Sequence, residues 1–333
     1  VDGSDSSAGA FEYGAGIKNA GTLTLNQSIL ANNSGRRFGG ALYNSGTLTV
    51  NDSAIVNNDG GAYGGGLLNY ATATINNSFI AGNQVTDWGG GILNYDTLTV
   101  VNSALLANDA DSGGGLYAAG SSTTISNSTF TANAASFGGA IDNEWNLTLV
   151  NSTVSGNSAT DYGGGIYNFG YLTLINNTIS DNEAMFGGGV FSEGLAEGEG
   201  DPSENATLTF VNTIIANSIN GGDCVNSLGI IEDNGHNLIG DGALVVDGGC
   251  LDNATSQGGE PWLARLDYYG GLSTGSGVDV LQTHELLPNS PALNAGDDAY
   301  CPATDQRGFP RLGLCDMGAV ESQGFSINIA GGD

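Results

Sequence analysis

Residues 163–182 read GGGIYNFGYLTLINNTISDN, and their opening glycine–aliphatic step recurs along the chain every 24 or 25 residues. A degenerate copy of the step begins at Gly14. Six further regular copies begin at Gly39, Gly64, Gly89, Gly113, Gly138 and Gly187. A fixed period of this length indicates a solenoid, in which each repeat forms one turn and cannot bury a core alone. The repeats therefore predict one continuous rod.

Within each repeat, apolar and polar residues alternate in short runs, which is the period-2 pattern of half-buried strands. In the segment quoted above, four aliphatic side chains are expected to face inward: Ile166, Leu172, Leu174 and Ile179. Neither the helical spacing of apolar residues nor helix-capping residues are present. The repeat therefore predicts strands and no helix.

Three corners per repeat are indicated by three columns of asparagine. Asparagine tolerates the left-handed backbone of a sharp bend, and stacked amides can hydrogen-bond from one coil to the next. The first column contains Asn19, Asn44, Asn69, Asn94, Asn143 and Asn168. The second contains Gln27, Asp52, Asn77, Asn102, Asn127, Asn151, Asn176 and Asn212. The third contains Asn33, Asn58, Asn83, Asn108, Asn133, Asn157 and Asn182.

These columns predict an all-β fold, a single-stranded parallel β-helix with three strands per coil. We expect it to be right-handed, because parallel crossover connections are overwhelmingly of that hand. About eight regular coils of about 25 residues each, spaced by about 4.8 Å, would form a rod roughly 40 Å long.

The regular rhythm stops after Ala216, and the sequence that follows is irregular. We divide the chain into β-helix repeats (1–218), a C-terminal cap that continues the β-helix (219–321) and a terminal tail or strand (322–333). The cap is expected to cover the open C-terminal end of the rod, because an uncovered coil would expose a row of unpaired backbone groups.

All four cysteines lie in the predicted cap. Their spacing suggests two short loops and does not match a CxxC metal site, so we predict two local disulfides, formed in an oxidising extracellular compartment. The expected pairs are Cys224 with Cys250 and Cys301 with Cys315.

The charge of the chain limits its partners. Six basic and 35 acidic residues give a net charge of −29. A nucleic acid or an anionic membrane surface would be repelled, so neither is expected as a partner. No run of 18 apolar residues occurs, so no membrane insertion is predicted.

An acidic, glycine-rich insertion interrupts the last regular coil at residues 193–201. Its carboxylates could hold Ca²⁺, although the EF-hand ligand spacing is absent and a solvated loop is the favoured interpretation. No other cofactor is expected. The candidate ligands are Glu193, Glu197, Glu199 and Asp201.

Two resemblances cover nearly the whole chain. The glycine–asparagine repeat resembles the β-helix repeats of bacterial surface proteins, including polymorphic outer-membrane-type passengers. Motifs in the cap look like the choice-of-anchor Q domain. The resemblances imply a protein secreted or displayed by bacteria, without a general enzymatic activity. The cap motifs are NLIG (237–240), QTHELL (282–287), SPALNAG (290–296), DQRG (305–308) and CDMGAVE (315–321).

Parallel β-helices also host polysaccharide enzymes, so catalytic patterns need to be considered. Hydrolysis of the polygalacturonase type needs clustered Asp residues with Gly-His-Gly and Arg-x-Lys elements, which do not occur. Lyase chemistry needs a base beside paired carboxylates, and Arg36 and Arg37 lack such acids nearby. Structural hydrogen bonds explain His284, Asp305 and Arg307 better than catalysis does. We therefore predict no enzymatic activity, with polysaccharide binding or degradation as the alternative.

Because the coils stack in register, each outward position forms a stripe along the rod. The stripe that follows the glycine–aliphatic step is here called the outer stripe. It is expected to be a binding interface, since contiguous outward apolar area normally marks one, unless the cap or the acidic insertion covers it. It also includes Lys18 and Asp142. The predicted interface residues are Tyr43, Leu68, Leu93, Tyr117, Tyr167 and Phe191, with Tyr70, Tyr95 and Phe169 two positions further on.

A second set of rings, the aromatic column, precedes the glycines and is interpreted as a structural corner filler. It consists of Tyr13, Phe38, Tyr63, Trp88, Phe137, Tyr162 and Phe186. A third stripe of threonines forms a Thr-x-Thr array that resembles ice-binding surfaces, although β-propensity on an exposed sheet explains it adequately. Ice binding is a minor alternative. Its inner rank is Thr24, Thr49, Thr74, Thr99, Thr124, Thr148, Thr173 and Thr209.

Taken together, these patterns favour a non-enzymatic extracellular structural or adhesive protein of the bacterial surface or matrix. Its expected partners are copies of itself, other surface proteins or glycans. An alternating terminal strand could add to the edge of a neighbouring rod and build fibres end to end. The residues of this assembly strand are Phe325, Ile327 and Ile329.

Overall fold

The computed structural model of the chain describes residues 14–195, 205–240, 250–251, 254–270 and 281–323. Three long parallel sheets run along a rod, and each coil contributes one strand to each sheet. The described residues contain no helix. The predicted all-β parallel β-helix with three strands per coil is therefore confirmed.

The first and second sheets contain nine strands each. The first sheet is formed by β1 (Ile17–Asn19), β4 (Leu42–Asn44), β7 (Leu67–Asn69), β10 (Ile92–Asn94), β13 (Leu116–Ala118), β17 (Ile141–Asn143), β21 (Ile166–Asn168), β24 (Val190–Glu193) and β27 (Cys224–Ser227). The second is formed by β2 (Thr22–Asn26), β5 (Thr47–Asn51), β8 (Thr72–Asn76), β11 (Thr97–Val101), β14 (Ser122–Ser126), β18 (Asn146–Val150), β22 (Tyr171–Ile175), β25 (Thr207–Val211) and β28 (Ile230–Asp233).

The third sheet has ten strands, and a short pair of strands, β16 (Ala134–Phe137) and β20 (Ser158–Tyr162), forms a fourth sheet at one corner. The ninth coil lies within the region predicted as a cap, so the β-helix is one coil longer than the eight regular repeats. The third sheet is formed by β3 (Ile29–Ala31), β6 (Ala54–Val56), β9 (Phe79–Ala81), β12 (Ala104–Leu106), β15 (Thr129–Thr131), β19 (Thr153–Ser155), β23 (Thr178–Ser180), β26 (Ile214–Ala216), β29 (Leu238–Ile239) and β30 (Gln257–Gly258).

The core is a stack of aliphatic side chains that point inward from all three sheets. Ile166, Leu172, Leu174 and Ile179 are each at most 1% exposed, as the alternation predicts. Each coil contributes one layer of aliphatic side chains, and the layers of the coils above and below cover it. No coil could therefore bury these side chains alone.

Two of the three asparagine columns form buried amide ladders. In the third column, the Nδ2 of Asn83 donates to the Oδ1 of Asn108 (3.0 Å), and the Nδ2 of Asn108 donates to the Oδ1 of Asn133 (3.0 Å). In the first column, the Nδ2 of Asn44 donates to the Oδ1 of Asn69 in the same way (2.7 Å). These ladders satisfy polar groups that the corners would otherwise leave buried without partners.

The left-handed backbone predicted for all three columns is found only in the second. There Asn77 has a φ of 47° and Asn102 a φ of 48°. At the third corner the left-handed residue is the one that precedes the ladder, such as Asn57 before Asn58 (φ 55°). The asparagines of the first and third columns are therefore retained for their amide hydrogen bonds and not for a bend.

The C-terminal part does not act only as an end cap. Residues 281–323, here called the lateral cover, lie on the outer face of the third sheet. Thr129 Oγ1 donates to the carbonyl of Gln282 (2.8 Å), and the amide of Ala319 donates to Thr178 Oγ1 (3.0 Å). Small and hydroxyl side chains on this face let the cover approach closely. Both predicted disulfides are present, Cys224–Cys250 and Cys301–Cys315.

Candidate functional site

Aromatic rings cover the outer face of the first sheet in two layers. The aromatic column stacks from coil to coil, with ring centroids 5.4 Å apart for Phe38–Tyr63 and 5.6 Å for Tyr162–Phe186. The glycine after each ring turns the chain with a positive φ, 61° at Gly64. A Cβ at Gly64 would lie 2.8 Å from the Cβ of Leu68. The glycine therefore lets the ring column lie against the outer stripe.

This layering corrects the predicted exposure of the outer stripe. Leu68 and Leu93 are fully buried and Phe191 is 6% exposed. Tyr43, Tyr117, Tyr167, Tyr95 and Phe169 are half-buried, and Tyr70 is 43% exposed. Rings of the aromatic column contribute to this cover: Tyr162 packs against both Tyr167 and Phe191. From the sequence, the cap or the acidic insertion was expected as a possible cover of the outer stripe. Cover by the neighbouring aromatic column was not predicted.

Neighbouring rings stack along the columns of this face. Tyr70 and Tyr95 stack with centroids 4.9 Å apart and planes inclined by 23°. Trp88 stacks on Tyr117 at 5.4 Å and 15°. Because neighbouring rings occupy these faces, the columns offer less area for sugar stacking than a row of isolated rings would. A partner at this surface meets ring edges and phenol groups.

Three columns carry polar residues close together at one place on this face, here called the acidic break and formed by Ser112, Asp142 and Glu144. Ser112 pairs with Trp88 and Phe137 at a ring position of the aromatic column. Asp142 lies in register between Tyr117 and Tyr167 in the outer stripe and is 2% exposed. The sequence contained these interruptions, but it did not show that they meet.

Hydroxyl groups lie near the carboxylates of the break: that of Ser112 near the Asp142 side chain, and that of Tyr117 near Glu144. The Oδ1 of Asp142 is buried without a hydrogen-bond partner. One coil further on, the Tyr167 hydroxyl donates to Oε2 of Glu193 (2.5 Å).

The burial of these groups shifts their titration. Burial raises the pKa of Asp142 well above its usual range, and the nearby charge of Glu144 raises it further, whereas the bond from Ser112 lowers it. Burial also raises the pKa of Glu144, against the hydrogen bond from Tyr117. Burial first, and then neighbouring carboxylates, raise the pKa of Tyr117. The Tyr117 phenol therefore keeps its proton at neutral pH and acts as a donor.

The buried Asp142 predicts a pH-dependent stability. Its folded pKa is raised, so the folded rod holds the proton more tightly than the unfolded chain does. The free energy of unfolding therefore falls as the pH rises above about 4, the unfolded pKa of an Asp. Asp142→Asn should be more stable than the wild type by about 1–3 kcal/mol at pH 8, and about equally stable at pH 3. Urea unfolding at both pH values measures the difference.

The matched control for this prediction is Asp111→Asn, because Asp111 is exposed and immediately precedes Ser112. Its effect on the free energy of unfolding should be small at both pH values. An Asp142→Asn variant that is less stable than the wild type at pH 8 would show that the folded rod satisfies the carboxylate.

A trough of about 860 Å³ runs beside the aromatic column, across five coils. Its floor is a column of buried alanines. Asp109 lies on its wall, and burial raises the pKa of this carboxyl. The trough runs along the rod axis for roughly 20 Å, which suits an extended chain. We did not predict it, although small residues recur there with the repeat period. The lining residues are Asp109, Ala110, Ala134, Ala135, Ser136, Ser158, Ala159, Thr160, Glu183, Ala184, Met185, Asn220 and Gly221.

The histidine and arginine motifs of the tail have structural contacts. Arg307 is 5% exposed and donates to Asp305 (2.8 Å) and to Glu285 (2.7 Å). His284 accepts from Ser155 at Nε2 (2.8 Å) and donates from Nδ1 to the carbonyl of Ala264 (2.8 Å). The Ser155–His284 pair has the composition of a nucleophile and base, but both residues are only 1% exposed. Their contact joins the lateral cover to the rod.

The remaining predicted sites are only partly described. Glu193 ends β24 and accepts from Tyr167, while the other three candidate Ca²⁺ ligands, Glu197, Glu199 and Asp201, lie outside the described residues. The assembly strand at Phe325, Ile327 and Ile329 lies outside them as well. Among the residues that are described, no three His, Cys, Asp or Glu side chains are grouped to hold a metal ion.

The threonine array stacks in register, as Thr24↔Thr49↔Thr74 shows. A second rank lies two residues before the first and carries Thr22, Thr47, Thr72 and Thr97 in the first coils. Tyr171 interrupts this rank and is 42% exposed. Ice binding by this face stays a prediction.

Within the described part of the chain, no helix is long and apolar enough to span a membrane.

The comparison with family models agrees with a β-helix repeat protein. A family model described as a Chlamydia polymorphic membrane protein repeat matches residues 151–168, which run from the second asparagine column to the first. The crystal structure of pectate lyase Pel9A is 17% identical, with 94% of this chain and 84% of that chain covered and a TM-score of 0.45. At this identity and TM-score the likeness carries no argument about this chain. No curated protein matches the chain. The matched repeat supports a surface-associated protein.

Proposed function

We propose that this chain is a non-enzymatic extracellular adhesive protein of the bacterial surface or matrix, with the aromatic face of the first sheet as its adhesive surface. One observation carries the proposal: a row of rings remains partly exposed along the rod, with Tyr70 at 43%, Trp88 at 37% and Phe186 at 37%. Contiguous exposed apolar area normally marks an interface. The trough beside it adds an acidic wall that an extended partner could contact.

The adhesive role predicts that partly exposed tyrosines control binding. We expect Tyr70→Ser with Tyr95→Ser to reduce retention of protein-coated fluorescent beads about 30-fold, because stacked rings contribute roughly 1 kcal/mol each beyond their buried area. The beads would be tested on films of cellulose, chitin and a lysine-rich protein. Tyr171→Ser is the matched control, since Tyr171 is equally exposed but lies on the second sheet. It should leave retention unchanged.

Two results would contradict the proposal. Wild-type beads that are retained on none of the films, by a chain that sediments as a monomer, would remove its basis. Release of new reducing or unsaturated sugar ends from the polysaccharide films by the wild type would favour the enzymatic alternative. A loss of that release in Glu144→Gln would locate the chemistry in the acidic break.

A further inference from the structure

The trough beside the aromatic column is an open site that the sequence builds over a limited part of the rod. Its floor residues stack in register, because Ala135 pairs with Ala159 and the residues before them pair from Gln84 to Asn220. The coil before the trough carries the larger Val85 at the floor position, where it is 8% exposed. Four successive coils then carry alanine. The trough is therefore open where the floor side chains are small and ends where one is larger.

The dimensions of the trough suit a short extended chain. Its volume of about 860 Å³ lies within the range of ligand pockets, about 300–1,000 Å³. A length of roughly 20 Å accommodates about six residues of an extended peptide, at about 3.3 Å per residue.

The floor favours a peptide over a sugar chain. The four floor alanines are 3–8% exposed, so their methyl groups are within reach of a ligand. Methyl groups bury apolar side chains, whereas they give a sugar ring no aromatic face on which to stack. Hydroxyl groups on one wall, those of Ser136 and Thr160, can bind the backbone of an extended peptide. The floor and this wall thus match an extended peptide with small or branched apolar side chains.

The other wall is acidic and has no basic residue to balance it. Asp109 and Glu183 are exposed on this wall, and none of the six basic residues of the chain lines the trough. Asn220 Nδ2 donates to Oε1 of Glu183 (2.7 Å). The carboxylate of Asp109 accepts no hydrogen bond from the residues that the structure describes. An acidic wall in a chain of net charge −29 attracts a cationic partner.

The spacing of the two carboxylates matches that of side chains on an extended peptide. Asp109 and Glu183 are three coils apart, which is about 14 Å at about 4.8 Å per coil. Residues i and i+4 of an extended peptide lie on the same face, about 13 Å apart. Basic side chains at these two positions can reach both carboxylates, while the residues between them face the floor in alternation.

We propose that the trough binds an extended segment of a partner protein in which basic and apolar side chains alternate. The apolar side chains pack on the alanine floor, and two of the basic side chains pair with Asp109 and Glu183. This assignment rests on the proposed adhesive function and gives the chemistry of one partner.

Isothermal titration of the purified chain at about 150 mM salt tests the proposal. The probe is the hexapeptide acetyl-Lys-Val-Lys-Val-Lys-Val-amide, which should bind. The peptide with serine in place of valine keeps the charge and should bind at least about tenfold more weakly, because it buries no aliphatic side chain. The peptide with glutamate in place of lysine should not bind. Equal affinities of the valine and serine peptides would show attraction to net charge alone and overturn the proposal.

A pair of charge-removing variants locates the site on the rod. Asp109→Asn with Glu183→Gln should weaken binding of the Lys-Val peptide about tenfold, since each exposed ion pair contributes up to about 1 kcal/mol. The matched control is Asp52→Asn with Glu232→Gln, which removes the same two charges outside the trough lining. It should change the affinity less than about twofold. Equal weakening by both pairs would contradict binding in the trough.

Charge-neutral variants block the trough without changing the attraction. Ser158 is exposed on the trough wall, so Ser158→Trp should place a ring over the floor and abolish peptide binding. Ser122→Trp, at an exposed position of the second sheet, should bind like the wild type. Ala159→Val gives the floor the side chain that Val85 already has in this column and should also weaken binding. Thermal unfolding checks that each rod is intact. Wild-type affinity in both Ser158→Trp and Ala159→Val would overturn the proposal.

Two further outcomes separate this site from its alternatives. A chitosan hexamer that binds more tightly than the peptide, and that Ser158→Trp excludes, would assign the trough to an amino polysaccharide and overturn the proposal. Loss of bead retention in the Tyr70→Ser, Tyr95→Ser variant, without peptide binding by the wild type, would leave the adhesive function standing and remove the peptide site.

Discussion

Replacing Asn108 by alanine is expected to lower the free energy of unfolding by about 3–6 kcal/mol. The Oδ1 of Asn108 accepts from both the backbone amide and the Nδ2 of Asn83, and its Nδ2 donates to Ile80 and Asn133. These partners are buried, so alanine would leave several of them unsatisfied. Urea unfolding followed by circular dichroism measures the loss. A broader transition would indicate that the two halves of the rod separate, because each coil contacts only its neighbours.

The matched control is Asn102→Gly, six residues earlier in the same coil. Asn102 has a φ of 48°, and its Oδ1 has no hydrogen-bond partner. Glycine adopts this conformation freely, so the free energy of unfolding should change by less than about 0.5 kcal/mol. A comparable loss in both variants would mean that the loss in Asn108→Ala does not report on the ladder, because Asn102 makes no ladder bond and glycine preserves its bend.

Replacing Arg307 by methionine is expected to detach the lateral cover while the rod stays folded. The guanidinium donates to Asp305, which is fully buried, to Glu285 and to the carbonyl of Glu321. Removing one partner of a buried ion pair costs about 3–5 kcal/mol, since it leaves the other charge uncompensated. Hydrogen exchange measured by mass spectrometry should show lost protection in residues 281–323 and retained protection in strands β4 to β12.

Arg265→Met provides the control, because Arg265 is exposed and precedes the lateral cover in the sequence. Its exchange pattern should match that of the wild type. Loss of protection throughout the chain in Arg307→Met would show that the cover and the rod unfold as one cooperative unit.

The spacing of the repeats explains why the β-helix could be predicted from the sequence. A period of 24 or 25 residues places identical side chains over one another, so the inward aliphatic columns and the asparagine ladders follow directly. The left-handed bend was wrongly extended to all three columns. Asn58 and Asn57 are adjacent and chemically identical, and only the backbone path decides which of them bends and which forms the ladder.

The candidate site was harder to predict, because periodicity shows which residues share a stripe but not what covers that stripe. Leu68 and Leu93 were expected to be exposed and are fully buried. The relevant turn is made by the glycine before each strand, which brings one outward column against another. That contact depends on the angle of a corner and leaves no signal in the spacing.

The sequence by itself determined the coil length, the three-sheeted solenoid, the inward faces and the two disulfide pairs, since these depend on repeat spacing and short loops. Only the tertiary structure decided which outward stripes are buried, that the acidic break assembles from three columns, and that the tail lies along the side of the rod. Ser155 and His284, 129 residues apart, meet at 2.8 Å. Such contacts arise when the folded rod offers a surface that the later chain can fit, and no local pattern encodes that fit.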